Sequence, residues 1–269
     1  MSQLNLAPLT NFDIGVVAAA AIAIVALRAR ALDRSGALAA CVVGTATFGA
    51  LGLPGAAVLL AFFVTSVGLS RVGKSRKLEL LVDVGKTGAR DGAQVLANGG
   101  IAALCALGAL WIDARFAVAF AGAFAAATAD TWGTEIGTLV PGKPRSILDL
   151  RPIATGLSGG VTFAGTLAEI AGACFIAAIA IATHVTAGTV HVAVAIALGG
   201  IAGALADSIL GASVQSLRWC GQCRRATERE PHVCGANTTP LRGLAWFGND
   251  AVNASATIVG ALVAFALAR

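Results

Sequence analysis

Hydrophobic residues in this chain do not alternate with polar ones at a strand or surface-helix period. They run in long blocks separated by short polar stretches. Eight blocks stand out, at residues 12–29, 36–53, 55–70, 94–112, 114–131, 160–184, 189–213 and 245–267, each near the ~20 residues a helix needs to cross ~30 Å of hydrocarbon. The pattern predicts an all-α, polytopic transmembrane helix bundle of about eight spans, one integral membrane domain over residues 1–269. With 57% hydrophobic and 12% charged residues, the composition excludes an ordinary soluble domain. Gly199, Gly203 and Gly211 of the seventh block typify spans rich in small residues, which predict close van der Waals contact between helices.

Charge adds orientation. Of the nineteen Lys and Arg residues, three lie in 28–35, six in 71–93, three in 132–159 and five in 215–244, leaving Arg115 and Arg269 on the opposite side. The positive-inside rule then places both termini outside and those four loops in the cytoplasm. No Lys or Arg precedes the first block, whereas Arg28, Arg30 and Arg34 follow it, the reverse of a cleavable signal peptide, so a retained anchor is expected. The location expected is an integral, multi-pass membrane protein, in the inner membrane if the cell is bacterial. A basic cytoplasmic face accounts for the net charge of +5 through topology and anionic lipid, and no aromatic-basic platform points to nucleic acid.

A carboxylate in hydrocarbon costs about 2.5–3.5 kcal/mol on insertion scales, so each one near a span needs a reason. Asp130 and Glu135 close the fifth block, and Asp207 sits two turns before the end of the seventh with Gln215 on its face at i+8. Asn249, Asp250 and Asn253 open the eighth, and Gln94 and Asn98 open the fourth. Any one of these is satisfied by interhelical hydrogen bonding. Together they put carboxylates and amides at one depth on one side, where three carboxylates repel unless a cation lies between them. Hard oxygen ligands with room for water suit Mg²⁺ holding a phosphate. Lys74, Lys77 and Arg90, with Lys143, Arg145 and Arg151, supply positive charge on the same side.

Two local features bear on phosphate. Thr155-Gly-Leu-Ser158-Gly159-Gly160 leads into the sixth block, so Ser158, Gly159 and Gly160 precede a helix N-terminus whose free N–H groups favour anions, although such an entry also serves plain flexibility. Gly68 to Ser75 matches the Walker A pattern, but it leaves a transmembrane helix rather than a β-strand, and we reject the P-loop on that context. Glu169 falls mid-depth in the sixth block near Thr162, Gly165 and Thr166, as a hydrogen-bonded structural acid or part of a polar pathway. His184 and His191 flank an outer turn.

Cys41, Cys105 and Cys174 lie in apolar blocks and act as small hydrophobes. Cys220, Cys223, His232 and Cys234 all fall in the loop 215–244, which is expected in a reducing compartment. Three thiolates and an imidazole fit a tetrahedral zinc knuckle; free loop thiols are the alternative.

Taken in order, Gln94-Val-Leu-Ala-Asn98-Gly-Gly, Asp130-Thr-Trp-Gly-Thr-Glu135-Ile-Gly, Gly159-Gly-Val-Thr-Phe-Ala-Gly165-Thr, Ala206-Asp-Ser-Ile-Leu-Gly-Ala, the Cys/His loop and Asn249-Asp-Ala-Val-Asn253 resemble the membrane-protein family that includes transmembrane protein 19 and plant phytyl-phosphate kinase. The resemblance runs from about Gly36 to Ala261. It implies a polyprenyl-phosphate kinase converting an isoprenyl monophosphate, such as phytyl phosphate, to the diphosphate at the cytoplasmic face, with CTP as the expected donor. On that reading Asp130, Glu135 and Asp207 hold Mg²⁺. Asn249, Asp250, Asn253, Gln94 and Asn98 orient phosphates or metal-bound water, and Lys74, Lys77 and Arg90 compensate charge. A lipid cytidylyltransferase uses the same metal and nucleotide, and a prenyl-phosphate or ion-coupled transporter is the different-class alternative. Thr-Ala-Asp130-Thr-Trp-Gly and Leu-Ala-Asp207-Ser-Ile-Leu-Gly are alike enough to hint at a parallel repeat.

Overall fold

The computed structural model describes residues 7–74, 77, 83, 88–186 and 188–268; Ser75, Arg76, Lys86 and Arg269 lie outside them. Among the described residues, seven α-helices carry most of the chain. They are α1 (Ala7–Arg28), α2 (Arg34–Arg71), α3 (Gly92–Trp111), α4 (Arg115–Leu139), α5 (Phe163–Ala182), α6 (Val190–Ser213) and α7 (Asn249–Leu267). Their starts follow ordinary capping chemistry. Asp33, Asp91, Thr162 and Thr189 each accept a backbone N–H three residues on, and Asp91 with Gln94 completes a capping box.

The eight hydrophobic blocks map onto these seven helices because 36–53 and 55–70 are two halves of α2. Gly52, at φ 60° and ψ −150°, breaks the helix just ahead of Pro54. A straight helix of 38 residues would extend about 57 Å. Yet the Arg71 guanidinium at its end donates to Ala29 O at 2.9 Å, beside its beginning. The two halves of α2 therefore fold back on each other at Gly52.

Among the described residues, six helices are long and apolar enough to cross a membrane, namely all but α4. The exception is instructive. Helix α4 packs against α2, α3, α5, α6 and α7, and the run from Ala117 to Ala129 is buried throughout. A helix surrounded by protein needs small residues rather than greasy ones. Gly203 of α6 and Gly260 of α7 meet it so closely that a Cβ on Gly203 would lie 2.4 Å from Ala126 Cβ, and one on Gly260 2.7 Å from Gly122 O. Phe120 and Phe124 fill the remaining core in a T-shaped pair.

The termini of the helices sort into two ends. At one, Phe12 of α1 stacks on Trp111 of α3, Arg115 of α4 lies over Phe265 of α7, and the His191 ring bonds Leu267 O. The start of α1 and the end of α7 thus share this end. The carboxylates and amides singled out from the sequence are at the other.

That polar end departs from an all-α reading. Strands β1 (Arg145–Ser146) and β2 (Gly160–Val161) pair antiparallel, and β3 (Leu217–Cys220), β4 (Arg225–Thr227) and β5 (Thr239–Arg242) form a small sheet in the order β4-β3-β5. The loop 214–247 is therefore an ordered knuckle rather than a connecting strand of charge. It is tied to α6 by Arg242, whose guanidinium donates to Ala212 O and, at 2.9 Å, to Gly211 O, capping the free carbonyls of the helix end.

Candidate functional site

Asp130, Glu135, Glu169 and Asp207 line one cavity at the polar end, together with Arg90, Gln94, Asn98, Asn249, Asn253 and the loop 155–160. Each side chain arrives by simple helix geometry. Asp130 and Glu135 lie in the last turns of α4, Asp207 six residues before the end of α6, and Asn249 and Asn253 one turn apart at the start of α7. Trp132 fixes α4 here. Its indole N–H donates to Thr65 Oγ1 at 3.3 Å and its ring stacks on Phe175 of α5, at 5.3 Å between centroids.

Glu169 belongs with the carboxylates, not at mid-depth. Helix α5 begins only at Phe163, capped by Thr162, so Glu169 lies less than two turns, about 10 Å, from the polar end. Gly133 makes room for it: a Cβ there would meet Glu169 Cγ at 2.6 Å and Oε1 at 2.8 Å.

Among the described residues, two cations face these four carboxylates. Lys77 is buried, donates to Leu69 O at 2.8 Å and forms an ion pair with Glu135. The Arg90 guanidinium lines the cavity, its backbone pinned by Asp33 and Ala31. Among the described residues, the four carboxylates outnumber these two cations by two. Asp207 Oδ2 is buried with no hydrogen-bond partner among the described residues, an acceptor held out of water with nothing to accept from. A carboxylate-rich oxygen donor set with an orphaned carboxylate oxygen fits Mg²⁺.

The glycine loop is built but partly engaged. Gly156 and Gly159 take φ of 91° and 82°. Gly159 also packs so closely on α6 that a Cβ would sit 2.5 Å from Ala212 N. Ser158, read from the sequence as a phosphate donor, gives its N–H to Glu228 Oε1 at 2.9 Å, and Gly160 N–H goes to Leu157 O at 3.3 Å. The anion already at this loop is the protein's own carboxylate. Burial pushes the Glu228 carboxyl above its usual range, against the pull of the Ser158 N–H and hydroxyl and of Arg242.

Three further sequence candidates stand apart from the cavity lining. Asp250 is in the first turn of α7 on another face from Asn249 and Asn253, Lys74 is exposed past the end of α2, and Gln215 is buried under the knuckle. The Walker A match dissolves, since Gly68 is inside α2 and no strand precedes it among the described residues; its Ser75 lies outside them. Glu228 and Asp83 are additions that no sequence pattern singles out.

A second, apolar cavity lies between α1, α2 and α3, with about 1000 Å³ of space including its mouth, lined by residues such as Ala19, Ile22, Leu59, Phe63 and Phe124. Arg90, Gln94, Asn98 and Thr131 line both cavities. The charged chamber and the apolar one meet at these four side chains.

In the knuckle, one ligand atom from each of Cys220, Cys223, His232 and Cys234 lies within 4.8 Å of all the others. The His232 ring, followed by the Ala236 N–H, pulls the Cys234 thiol down to about 6, while its partnership with Cys234 pushes Cys223 up to about 11.

Comparison with known proteins places this architecture. Residues 17–261 match the family model described as integral membrane protein DUF92. The chain belongs to this family. Protein PGR of Arabidopsis thaliana is 32% identical over 262 residues, covering 88% of this chain and 89% of that protein. An uncharacterized membrane protein of Methanocaldococcus jannaschii is 32% identical over 204 residues, covering 76% and 83%. Protein VTE6, chloroplastic, also of Arabidopsis thaliana, is 25% identical over 240 residues, covering 87% of this chain and 64% of its own length. No solved structure matches. The protein is an integral membrane protein, as the hydrophobic blocks predict.

Proposed function

We propose that this protein is a polyprenyl-phosphate kinase that transfers the γ-phosphoryl group of a nucleoside triphosphate to an isoprenyl monophosphate at the cytoplasmic membrane face. The observation that carries the reading is the junction of the two cavities. A charged chamber with four carboxylates borders an apolar one, the two sharing Arg90, Gln94, Asn98 and Thr131 in their walls. A lipid with an anionic head and a hydrocarbon tail fits that junction, with its head at Arg90 and its tail among α1, α2 and α3. CTP as the donor rests on the family resemblance, and phytyl phosphate is the matching acceptor.

The acceptor phosphate is already anionic, so the reaction needs positioning and charge neutralisation more than a base. An acceptor oxygen forms a bond to the γ-phosphorus as the bond from that phosphorus to the β–γ bridging oxygen breaks, and the nucleoside diphosphate leaves with the electron pair. Arg90 holds the acceptor phosphate at the cavity junction. Gln94, Asn98, Asn249 and Asn253 donate amide hydrogens to phosphate oxygens, and the carbonyls of the same amides orient water. Asp130, Glu135 and Asp207 would hold Mg²⁺, which neutralises charge on the nucleotide phosphates; Glu169 adds a fourth carboxylate at the same depth. Lys77 balances Glu135, and Lys74 lies at the exposed rim for the nucleotide. Eight crossings with both termini outside follow if the two halves of α2 and the interior α4 each traverse the bilayer.

The test is product analysis with purified protein, Mg²⁺, CTP or ATP labelled in the γ-phosphate, and phytyl or geranylgeranyl monophosphate. The proposal predicts labelled prenyl diphosphate and CDP or ADP. Release of pyrophosphate with a cytidylylated lipid identifies a cytidylyltransferase instead, and lipid movement across vesicles without chemistry identifies a transporter.

A further inference from the structure

The Cys/His knuckle lies outside the carboxylate chamber, yet one of its side-chain contacts, from Glu228 to Ser158, ends at the chamber wall. Its own geometry comes first. Cys220 Sγ and Cys234 Sγ are 3.6 Å apart, and Cys234 Sγ is 3.1 Å from His232 Nδ1. Zn–S bonds of about 2.3 Å at tetrahedral angles put two sulfurs about 3.8 Å apart, close to the spacing found. A disulfide needs about 2.05 Å, and all three cysteines are free. Cys223 N–H also points to Cys220 Sγ at 3.4 Å, a hydrogen bond to a sulfur that carries ligand charge. Thiolates with one imidazole select zinc over hard cations, and four donors close the site against substrate.

The second nitrogen of His232 is committed too. His232 Nε2 is 3.1 Å from Asp83 Oδ1, so with Nδ1 turned to the sulfurs the ring gives its remaining N–H to a carboxylate. Arg225 Nη1 lies 3.3 Å from the other oxygen of Asp83. The Asp83 carbonyl accepts the Glu228 N–H at 2.8 Å and the Thr227 hydroxyl at 3.0 Å. Asp83 is six residues beyond Lys77, the partner of Glu135. Glu228 itself turns its side chain the other way, to the Ser158 N–H in the glycine loop. Without the metal, the three short strands are held by their ladder hydrogen bonds and by Arg218, which bonds Thr238 and Glu230. Such a sheet has little apolar core of its own, since every residue of β5 is exposed.

We propose that Cys220, Cys223, His232 and Cys234 bind one structural Zn²⁺, and that this ion, through Glu228 on Ser158 and Asp83 on His232, holds the 155–160 loop against the carboxylate chamber. The site is structural rather than catalytic, because no ligand lines the chamber. The role assigned to it rests on the chamber being the phosphate site, whereas the zinc itself does not.

The experiment uses the full chain, purified under reducing conditions without chelator, and reads metal content and amide exchange. About one zinc per chain is expected, released by a thiol-modifying mercurial and lost in Cys220→Ser/Cys223→Ser. Asp83→Asn keeps all four ligands and is expected to weaken zinc about 10–100-fold. On zinc removal, and in Glu228→Ala with zinc still bound, exchange at residues 156–160 should rise roughly tenfold, as when one hydrogen bond to a charged group is lost. Protection of 117–129 in α4 should stay unchanged, which separates loop release from unfolding. Protein carrying no zinc, or iron in its place, overturns the metal assignment. Zinc whose removal leaves 156–160 protected overturns its role. Because neither readout requires phosphoryl transfer, a chain that passes both and phosphorylates no lipid refutes the kinase reading alone.

Discussion

Replacing Lys77 by Met tests the charge balance of the chamber. Lys77 and Glu135 are 5% and 19% exposed, so the mutation strands a carboxylate that water barely reaches. Removing one partner of a buried pair costs about 3–5 kcal/mol, and the partial exposure of Glu135 with Arg90 nearby puts this case at the low end, about 3 kcal/mol. For a chain of this size that is a fall in Tm of roughly 6–12 °C. If the chamber is a divalent-cation site, Mg²⁺ takes over the role of the missing ammonium group. Saturation at 100 times Kd contributes about 2.7 kcal/mol, enough to recover most of the loss. The assay is thermal unfolding in detergent of wild type, Lys77→Met and Lys77→Met/Glu135→Gln, with Mg²⁺ titrated against Na⁺ at matched ionic strength. Lys77→Met should be rescued by Mg²⁺ and not by Na⁺, and the double variant should be restored without metal. A single variant as stable as wild type, or one rescued equally by Na⁺, refutes the reasoning.

Gly159→Ala places a side chain at φ 82° and 2.5 Å from Ala212 N, so about 1–2 kcal/mol of backbone strain adds to a clash that lifts the loop from α6. Transfer should fall at least about tenfold, read as kcat/KM with the bundle still folded. Gly203→Val drives a side chain into Ala126 and the Ala256 carbonyl, and should lower stability by about 1–3 kcal/mol or more, read as Tm. Glu228 has its folded pKa raised by burial, so the folded protein keeps a proton that the unfolded chain releases. Its contribution is complete below the ordinary glutamate value of 4.5 and is lost as pH rises through the raised one. Wild-type Tm should therefore decline across that window relative to Glu228→Gln, and parallel profiles contradict the shift.

The helix-end carboxylates were legible because a charged residue at the edge of a hydrophobic block has few structural excuses, and Asp130, Glu135 and Asp207 do converge. The gap between the blocks 36–53 and 55–70 fell at the fold-back of α2, where Gly52 and Pro54 lie. Glu169 was misplaced in depth because the glycine loop and β2 look as apolar as a helix, and only Thr162 marks where α5 begins. Asp250 shares a motif with Asn249 and Asn253 but not their face, a distinction that needs the helix phase relative to its neighbours. Glu228 was hidden among Arg225, Arg229 and Glu230, where nothing local tells a buried carboxylate from a solvated one. Asp83 meets its partners about 145 residues away through tertiary structure alone. The junction of the two cavities was equally invisible, since it depends on how α1, α2 and α3 pack.

The most direct measurement is transfer of labelled γ-phosphate to a prenyl monophosphate by wild type beside Asp207→Asn, which removes the charge from the orphaned carboxylate while keeping its shape. The account predicts labelled prenyl diphosphate from wild type and a loss of at least about 100-fold in the variant. Equal transfer by both proteins would contradict the chamber as the site of chemistry, and no transfer by folded wild type to any prenyl monophosphate would contradict the kinase itself.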